Sequence, residues 1–291
     1  MMRPVKILTD SCCDLGADIR LKYGIDYVKM NICLEGEEIP ASLDWEGHSP
    51  KELYDGMRQG KRITTTQVSV AAFTEKLQKL VESGFDVIYI GCSGALSGSV
   101  NTAKTVFASF GAAHPEAQLV CIDSCRASLG EGLLAVKAAI LADEGRTVPE
   151  IAEYIEQNKL RVYQYGTVNT LDYLKRAGRV KASAAFFGNL FGVKPILSAD
   201  DIGNNVAVKK VKGRLASIDE SVMLLAEAMK GSEDNTVFLG HADCSDEEVN
   251  YLVGKVKELI GTDNIYVNFV GPIIGASVGP GTFVMYGWGN K

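Results

Sequence analysis

Apolar and polar positions follow two recurring patterns in the first half of the chain. Short runs rich in Val, Ile and Leu have the length and composition of buried strands, at residues 5–9, 86–92 and 118–124. The stretches between them are amphipathic, and the one after Ser69 carries apolar residues at helical spacing: Phe73, Leu77, Leu80 and Val81. Strands that alternate with helices predict a mostly parallel sheet with helices on both faces.

The second half of the chain has a different pattern. A strand predicted at 162–168 is followed by an unusually apolar stretch at 182–197 and by an alternating strand at 204–212. Amphipathic helices and further strands then complete a second α/β unit, at 215–230, 237–240, 245–260, 265–270 and 283–286. We therefore predict two α/β domains, residues 1–165 and 166–291.

One loop has the features of an anion-binding site. The strand at 86–92 leads into Ser93-Gly94-Ala95-Leu96-Ser97-Gly98-Ser99, and a helix is predicted after it, over 100–107. Free N–H groups and the helix dipole at a helix N-terminus attract negative charge. Because the loop supplies hydroxyl groups but no Lys or Arg, it favours a small anion such as a carboxylate over a polyphosphate.

The placement of three polar loops indicates where a ligand would bind. The loops at 9–14, 91–98 and 123–128 each follow a predicted strand, and ligands of parallel sheets bind outside the carboxyl ends of the strands. A glycine-rich segment at 271–282 has two interpretations. Its glycines let the backbone approach a ligand or another chain closely, or the segment is a turn-rich connection between strands.

Composition limits the classes of partner. The chain has 291 residues, 46% of them hydrophobic, and a formal net charge of −6, which argues against nucleic acid as the main partner. It shows neither a signal peptide nor an apolar stretch of membrane-spanning length, so we expect a cytoplasmic protein without stable membrane insertion. The seven cysteines lack metal-site spacing and are expected to be reduced thiols, and we expect no metal or cofactor.

Several short motifs occur in order along nearly the whole chain. They are Thr9-Asp10-Ser11, Thr65-Thr66-Gln67-Val68-Ser69, Ser93-Gly94-Ala95-Leu96-Ser97-Gly98, Asp123-Ser124, the run 170–179, Lys194-Pro195-Ile196-Leu197 and the segment 271–281. Each motif is weak alone, but together they resemble the DegV family, bacterial two-domain proteins that bind long-chain fatty acids. The chain departs from the family pattern at Val68, usually Pro, at Gly94, usually Ser, and at Ser277, often His.

The resemblance implies a fatty acid that lies in a tunnel between the two domains. Its carboxylate would be held by hydroxyls of the N-terminal domain, carried over by motif to Thr65 and Ser97, with Ser93 nearby and the helix N-terminus beyond Gly98. The acyl chain would lie against residues of the apolar stretch: Phe186, Phe187, Leu190, Phe191 and Ile196. The alternative for each of these apolar residues is a place in the ordinary core.

Some members of the family deliver the bound acid to a kinase, which phosphorylates its carboxylate. By resemblance, this chain would be a carrier without catalytic residues of its own, and a fatty acid kinase would be its partner. The residues expected at the rim of the headgroup site, or in kinase docking, are Arg179, Lys212 and Ser277. The alternative for the basic residues is a solvated surface.

A serine esterase is the competing class of function. The run Gly91-Cys92-Ser93-Gly94-Ala95 falls one residue short of the nucleophile-elbow pattern, and His241 follows Ser93 in chain order. This interpretation requires the imidazole of His241 within hydrogen-bond reach of the Ser93 hydroxyl. A weaker alternative is phosphate chemistry on a metal held by aspartates that equally suit caps or turns: Asp10, Asp14 and Asp123.

Overall fold

The computed structural model describes residues 3–181 and 192–290. The elements of the N-terminal part are β1 (Val5–Asp10), α1 (Ala17–Lys22), β2 (Asp26–Val28), β3 (Asn31–Leu34), β4 (Glu37–Pro40), α2 (Pro50–Arg58), β5 (Ile63–Thr66), α3 (Val70–Glu82), β6 (Asp86–Gly91), α4 (Ser99–Ala113), β7 (Leu119–Asp123), α5 (Leu129–Asp143) and α6 (Val148–Asn158). Those of the C-terminal part are β8 (Val162–Thr167), α7 (Asp172–Ala177), β9 (Val193–Ala199), β10 (Asn205–Lys212), α8 (Arg214–Met229), β11 (Val237–His241), α9 (Asp246–Ile260), β12 (Ile265–Phe269), α10 (Pro272–Val278) and β13 (Phe283–Trp288).

A parallel sheet forms the centre of the N-terminal part, with the strand order β2-β1-β6-β7. Successive residues of a strand face opposite sides of the sheet. Leu8 and Tyr89 therefore pack in a core with α3 and α4, whereas Ile7 and Ile88 pack in a second core with α5 and α6. The parallel sheet with helices on both faces is confirmed.

A small antiparallel sheet, with the order β4-β3-β5, stands beside the parallel one. The sequence did not predict it, because each of its strands has four residues and three of the four residues of β4 are exposed. Such short, polar strands carry little periodic signal. The sheet matters for function because β5 carries Thr65.

The C-terminal part is built on a six-stranded sheet with the order β10-β9-β8-β13-β11-β12. Only the β11–β12 pair is parallel among the pairs of this sheet in the described residues. Helix α8 packs on one face with Ile218, Val222 and Leu225. Strand β8 belongs entirely to this sheet, so the boundary predicted after residue 165 falls within a strand.

Helix α5 lies between the two large sheets. It contacts β1 and β6 of the parallel sheet, and β8, β11 and β13 of the C-terminal sheet. A helix covered on opposite sides needs apolar residues all round rather than one apolar stripe, and eleven residues of α5 are buried. Within the described ranges, no helix combines the length and the apolar character needed to cross a membrane.

Candidate functional site

A cavity of about 300 Å³ lies between the N-terminal loops and the C-terminal sheet. Its sheet wall includes Gly166 of β8, Leu197 of β9, and Val284 of β13. In register, Val284 pairs with Gly166 on one side and with Gly240 on the other. Neither neighbour has a side chain, so no cross-strand side chain stands beside that of Val284, and we call this stretch of the wall the trough. The volume is at the lower end of ligand sites, roughly 300–1,000 Å³.

The opposite wall comes from the loops that follow the parallel strands. Cys12 lies after β1, Ser97 and Gly98 after β6, and Ala127 and Ser128 after β7, and all of them line the cavity. The structure therefore brings the three polar loops together at the carboxyl edge of the sheet, where ligands of such sheets bind.

The glycine-rich segment closes the cavity with a helix. Helix α10 begins with Pro272 at its first position, and Ile273, Ile274 and Ser277 line the cavity. The interpretation as a turn-rich connection is wrong. A Cβ on Gly275 would lie 2.5 Å from the Tyr54 hydroxyl oxygen. The absence of a side chain at Gly275 therefore allows Tyr54 of the same chain to pack closely against α10.

One end of the cavity carries the hydroxyl groups expected to hold an anion. Thr65 and Ser97 both line it. The Ser97 hydroxyl donates to the Ser99 hydroxyl at 3.0 Å and accepts from the Ser99 N–H at 3.2 Å, which holds it at the N-terminus of the 15-residue helix α4. The side chain of Gln67 lies over Gly98 and donates to Thr102 at 2.8 Å. Sequence reasoning missed Gln67, although it stands in the same motif as Thr65.

A second cavity, of about 220 Å³, adjoins this end. It shares Thr65, Arg179 and Ser277 with the first. We call it the basic pocket, and its lining is Met57, Lys61, Arg62, Ile63, Thr64, Thr65, Tyr173, Arg176, Ala177, Arg179, Ala276 and Ser277. Four of these residues are cations, and the described lining includes no carboxylate. Positive charge therefore gathers beside the hydroxyl end of the apolar cavity.

Comparison with known proteins identifies the family. Residues 4–286 match the family model described as "Uncharacterised protein, DegV family". The chain belongs to the DegV family. The DegV domain-containing protein CPE0026 of Clostridium perfringens is 31% identical over 289 residues, with 99% of each chain covered.

Two solved structures of DegV proteins share the fold over almost their whole length. A structure reported for fatty acid binding, of a DegV family protein from Thermus thermophilus, has a TM-score of 0.86 and 26% identity, and the match covers 98% of this chain and 99% of that one. A DegV lipid-binding protein from Thermotoga maritima has a TM-score of 0.84 and 25% identity, with 97% of each chain covered. The predicted family and fold class are thus confirmed.

Ser93 of this DegV chain does not line either cavity among their described residues. It is fully buried, and its hydroxyl donates to the Gly203 carbonyl at 2.9 Å and accepts from the Ala95 N–H at 3.2 Å. Gly203 lies in the turn between β9 and β10. Ser93 therefore ties the loop after β6 to the C-terminal sheet, which is a positioning contact rather than an exposed headgroup contact.

The geometry expected of a serine hydrolase is not found at Ser93. His241, at the end of β11, packs on Phe269 with ring centroids 4.4 Å apart. Its Nδ1 is buried and has no hydrogen-bond partner among the described residues, and burial lowers the pKa of the imidazole. Within the same residues, the side-chain hydrogen bonds of Ser93 involve Gly203 and Ala95 and none involves His241, so the Ser–His contact that an esterase requires is not formed.

The other predicted site residues fall in three groups. Phe186, Phe187, Leu190 and Phe191 lie outside the described residues. Ile196 is fully buried and lies outside the described lining of the cavity, whereas its neighbour Leu197 is part of that lining; the alternation of β9 turns adjacent side chains to opposite faces. Lys212 is an exposed residue of β10 and lines neither cavity.

The three aspartates considered for a metal serve as hydrogen-bond acceptors instead. Asp10 accepts from the Tyr89 hydroxyl at 2.6 Å, Asp14 from the Ser128 hydroxyl at 2.5 Å, and Asp123 from the Cys125 N–H at 2.9 Å. Over the ranges that the structure describes, no group of three or more His, Cys, Asp or Glu side chains could hold a metal ion.

Asp14 makes the stability of the protein depend on pH. Burial raises its pKa to about 8 from the ordinary value of 3.8. Because the folded protein holds this proton more tightly than the unfolded chain, the stability that it contributes is fully present below about pH 4 and is lost as the pH rises through about 8. Asp14→Asn keeps an oxygen that can accept from Ser128 but removes the titration. Between about pH 6 and about pH 8, we expect the parent to lose roughly 2–3 kcal/mol more of its unfolding free energy than the Asp14→Asn variant loses.

Denaturant titrations at the two pH values measure this difference. Asp143→Asn, at the exposed end of α5, is the matched control and should follow the parent protein. An equal pH slope in the Asp14→Asn variant and the parent would show that Asp14 is ionised in the folded state.

Proposed function

We propose that this DegV protein binds a long-chain fatty acid in the cavity. Thr65, Ser97 and the N–H groups at the start of α4 would hold the carboxylate, and the acyl chain would lie along the trough beside Val284. One observation carries the proposal: an apolar cavity ends at hydroxyl groups and a helix N-terminus, which together can solvate a carboxylate without a buried cation. The lipid-binding relatives from Thermus thermophilus and Thermotoga maritima support it.

The acyl chain would supply most of the affinity. Burial contributes about 0.8 kcal/mol per methylene, so a chain of about 16 carbons has a gross term on the order of 12 kcal/mol before the cost of ordering it. The hydroxyl groups contribute less energy. They determine which end of the lipid lies at α4, because a carboxylate in the apolar trough would lose its hydrogen bonds.

Removal of the two hydroxyls tests the carboxylate site. In the double variant Thr65→Val and Ser97→Ala, we expect the affinity for oleate and for palmitate to fall roughly 100-fold, since hydrogen bonds to a charged group contribute about 1.5–3 kcal/mol each. Displacement of a fluorescent fatty acid measures the affinity, and native mass spectrometry counts the lipid retained on the chain. Thermal unfolding verifies that the variant folds.

The matched control is Thr66→Val with Ser109→Ala. The control makes the same two substitutions, Thr to Val and Ser to Ala, at positions on β5 and α4. Both positions lie outside the described lining of the two cavities, so the affinity for the fatty acids should be unchanged. A folded Thr65/Ser97 variant with the affinity of the parent would remove the headgroup assignment. A parent protein that takes up neither acid would overturn the function, and an esterase assay would follow.

We further propose that the bound carboxylate is presented to a fatty acid kinase. The basic pocket supports this step, because Arg179 and Ser277 line it together with Thr65, and its cations Arg62 and Arg176 would attract a phosphoryl group. The reaction that this step requires is ATP-dependent formation of an acyl phosphate by the partner kinase in the presence of the loaded protein. The cytoplasmic location, in which the cysteines would stay reduced, remains a prediction.

A further inference from the structure

Three sulfur atoms meet in the wall of the acyl cavity. Cys12, Met30 and Cys92 all line it. The Cys12 Sγ lies 3.4 Å from the Met30 Sδ, and the thiols of Cys12 and Cys92 are near enough to shift each other's pKa. Neither the carboxylate site nor the ordinary core needs two adjacent thiols at this position.

The fold holds the two cysteines next to each other. Cys12 and Cys92 follow β1 and β6, which are parallel neighbours in the central sheet, and adjacent strands lie about 4.8 Å apart. A single carboxylate also anchors both loops: Asp10 accepts from the Cys12 N–H at 2.8 Å and from the Cys92 N–H at 3.3 Å. A disulfide joins Cα atoms that lie roughly 4.4–6.8 Å apart, a range that includes the usual spacing of adjacent strands.

Access to the pair is through the cavity. Each of the two cysteines is only 1% exposed, yet both line the space proposed for the acyl chain. The interaction with the Cys92 thiol, followed by burial, raises the pKa of Cys12 well above its ordinary value. The interaction with Cys12 is the largest effect on Cys92 and lowers its pKa, but burial and the nearby carboxylates, Asp10 first, together outweigh it and the net shift is upward. Both groups are therefore protonated thiols that react slowly unless a reagent can reach them at alkaline pH.

We propose that Cys12 and Cys92 are a redox-active dithiol in the cavity wall, which is oxidised to a disulfide by a low-molecular-weight disulfide when the cavity is empty and is protected when an acyl chain fills it. The inference rests on the proposed function, because it takes the acyl chain as the occupant. It adds a site of oxidative modification by small disulfides to a cavity that the proposed function assigns only to lipid.

The chemistry is thiol–disulfide exchange. One cysteine thiolate attacks a sulfur of the small disulfide, and the S–S bond breaks to release one small thiol. The second cysteine then attacks the mixed disulfide, forms the internal S–S bond and releases the second small thiol. The two cysteines lose two electrons and two protons, which the two released thiols carry away. Nothing further is consumed.

Lipid and oxidant exclude each other by mass action. If the reagent reaches the thiols only in the empty cavity, the rate of oxidation is proportional to the fraction of empty protein. At a free acid concentration about 100-fold above its Kd, oxidation should be about 100-fold slower.

The experiment uses the full chain, stripped of lipid and reduced. It is incubated at mildly alkaline pH with 2-hydroxyethyl disulfide, with and without oleate, then alkylated with N-ethylmaleimide and mapped by mass spectrometry. We expect a Cys12–Cys92 disulfide in the empty protein and its suppression by oleate. Cys12→Ser and Cys92→Ser should each abolish the internal disulfide. Cys33→Ser, on β3 and outside the described lining of the cavity, is the control and should leave it unchanged.

Each result decides the inference. A disulfide that forms equally fast when oleate is shown to be bound overturns the protection. A native protein that forms no internal disulfide, while the Cys12 and Cys92 peptides react after denaturation, overturns the dithiol. Failure of the proposed function gives a different result, because fluorescence displacement then shows no bound oleate while oxidation of the empty protein proceeds.

Discussion

Replacing Val284 by Trp is expected to abolish the binding of long-chain fatty acids, with at least a 100-fold loss of affinity for oleate. Val284 lies in the trough between Gly166 and Gly240 and lines the cavity. The indole of Trp is far larger than the side chain of Val, and in a cavity of about 300 Å³ it would occupy the space that the acyl chain needs.

The variant should remain folded, because the cavity accommodates the ring. Overpacking of a filled core costs about 1–3 kcal/mol, and we expect the loss of unfolding free energy to lie within that range. Displacement titration with a fluorescent fatty acid and a denaturant melt measure the two effects separately. Val208→Trp, on β10 with 49% of the residue exposed, introduces the same side chain away from the cavity and should bind oleate normally. A folded Val284→Trp protein with full affinity would mean that the acyl chain lies elsewhere.

Replacing Arg126 by Met is expected to lower the free energy of unfolding by about 3 kcal/mol or more. Arg126 is only 5% exposed, and burial lowers its pKa. Its guanidinium donates to the carbonyls of Val162 at 2.5 Å, Cys125 at 2.7 Å and Leu160 at 3.1 Å. These bonds join the loop after β7 to the start of β8, and therefore connect the parallel sheet to the C-terminal sheet.

Loss of the guanidinium leaves buried carbonyls with fewer donors, while it also removes the cost of burying a charge. For that reason the expected effect is smaller than the sum of three charged hydrogen bonds. Chemical denaturation of the full chain measures it. Arg146→Met is the control: this exposed residue lies 3.9 Å from Glu150, and a surface change of this kind costs less than about 0.5 kcal/mol. Equal stability of the two variants would show that water satisfies the carbonyls equally well.

The positions of the central strands could be read from the sequence because both faces of the parallel sheet are buried. A strand with two buried faces needs apolar side chains at successive positions, and β6 shows this from Val87 to Ile90, where every residue is buried. The polar loop that begins at Ser93 follows from the same logic, since an apolar strand that ends in hydroxyls and glycine marks the edge of a sheet. The start of α2 also depends on local sequence, because Ser49 accepts from the Glu52 N–H in a capping box.

Helix α10 could not be predicted in the same way. Its sequence has Pro at the first position and Gly275 in the interior, and glycine has a low intrinsic helix propensity. Tertiary contacts outweigh this propensity: Tyr54 packs against Gly275, and its hydroxyl donates to the Val270 carbonyl at 2.5 Å just before the helix. Ile273 and Ile274 of α10, which line the cavity, were therefore visible only in the structure, whereas the family resemblance had already named Ser277.

The sequence alone determined the α/β class, the parallel N-terminal sheet and the loop of hydroxyl and glycine residues after β6, because these depend on residue type and on local spacing. It also carried the motifs that resemble the DegV family. Only the tertiary structure decided what each hydroxyl and thiol at the carboxyl edge of the parallel sheet contacts. Ser97 lines the cavity, whereas Ser93, four residues earlier, bonds to Gly203. The pairing of Cys12 with Cys92 depends on two strands about 80 residues apart in the chain that become neighbours in the sheet. The direction of a side chain and the identity of its neighbour are set by packing between distant segments, and no local pattern records them.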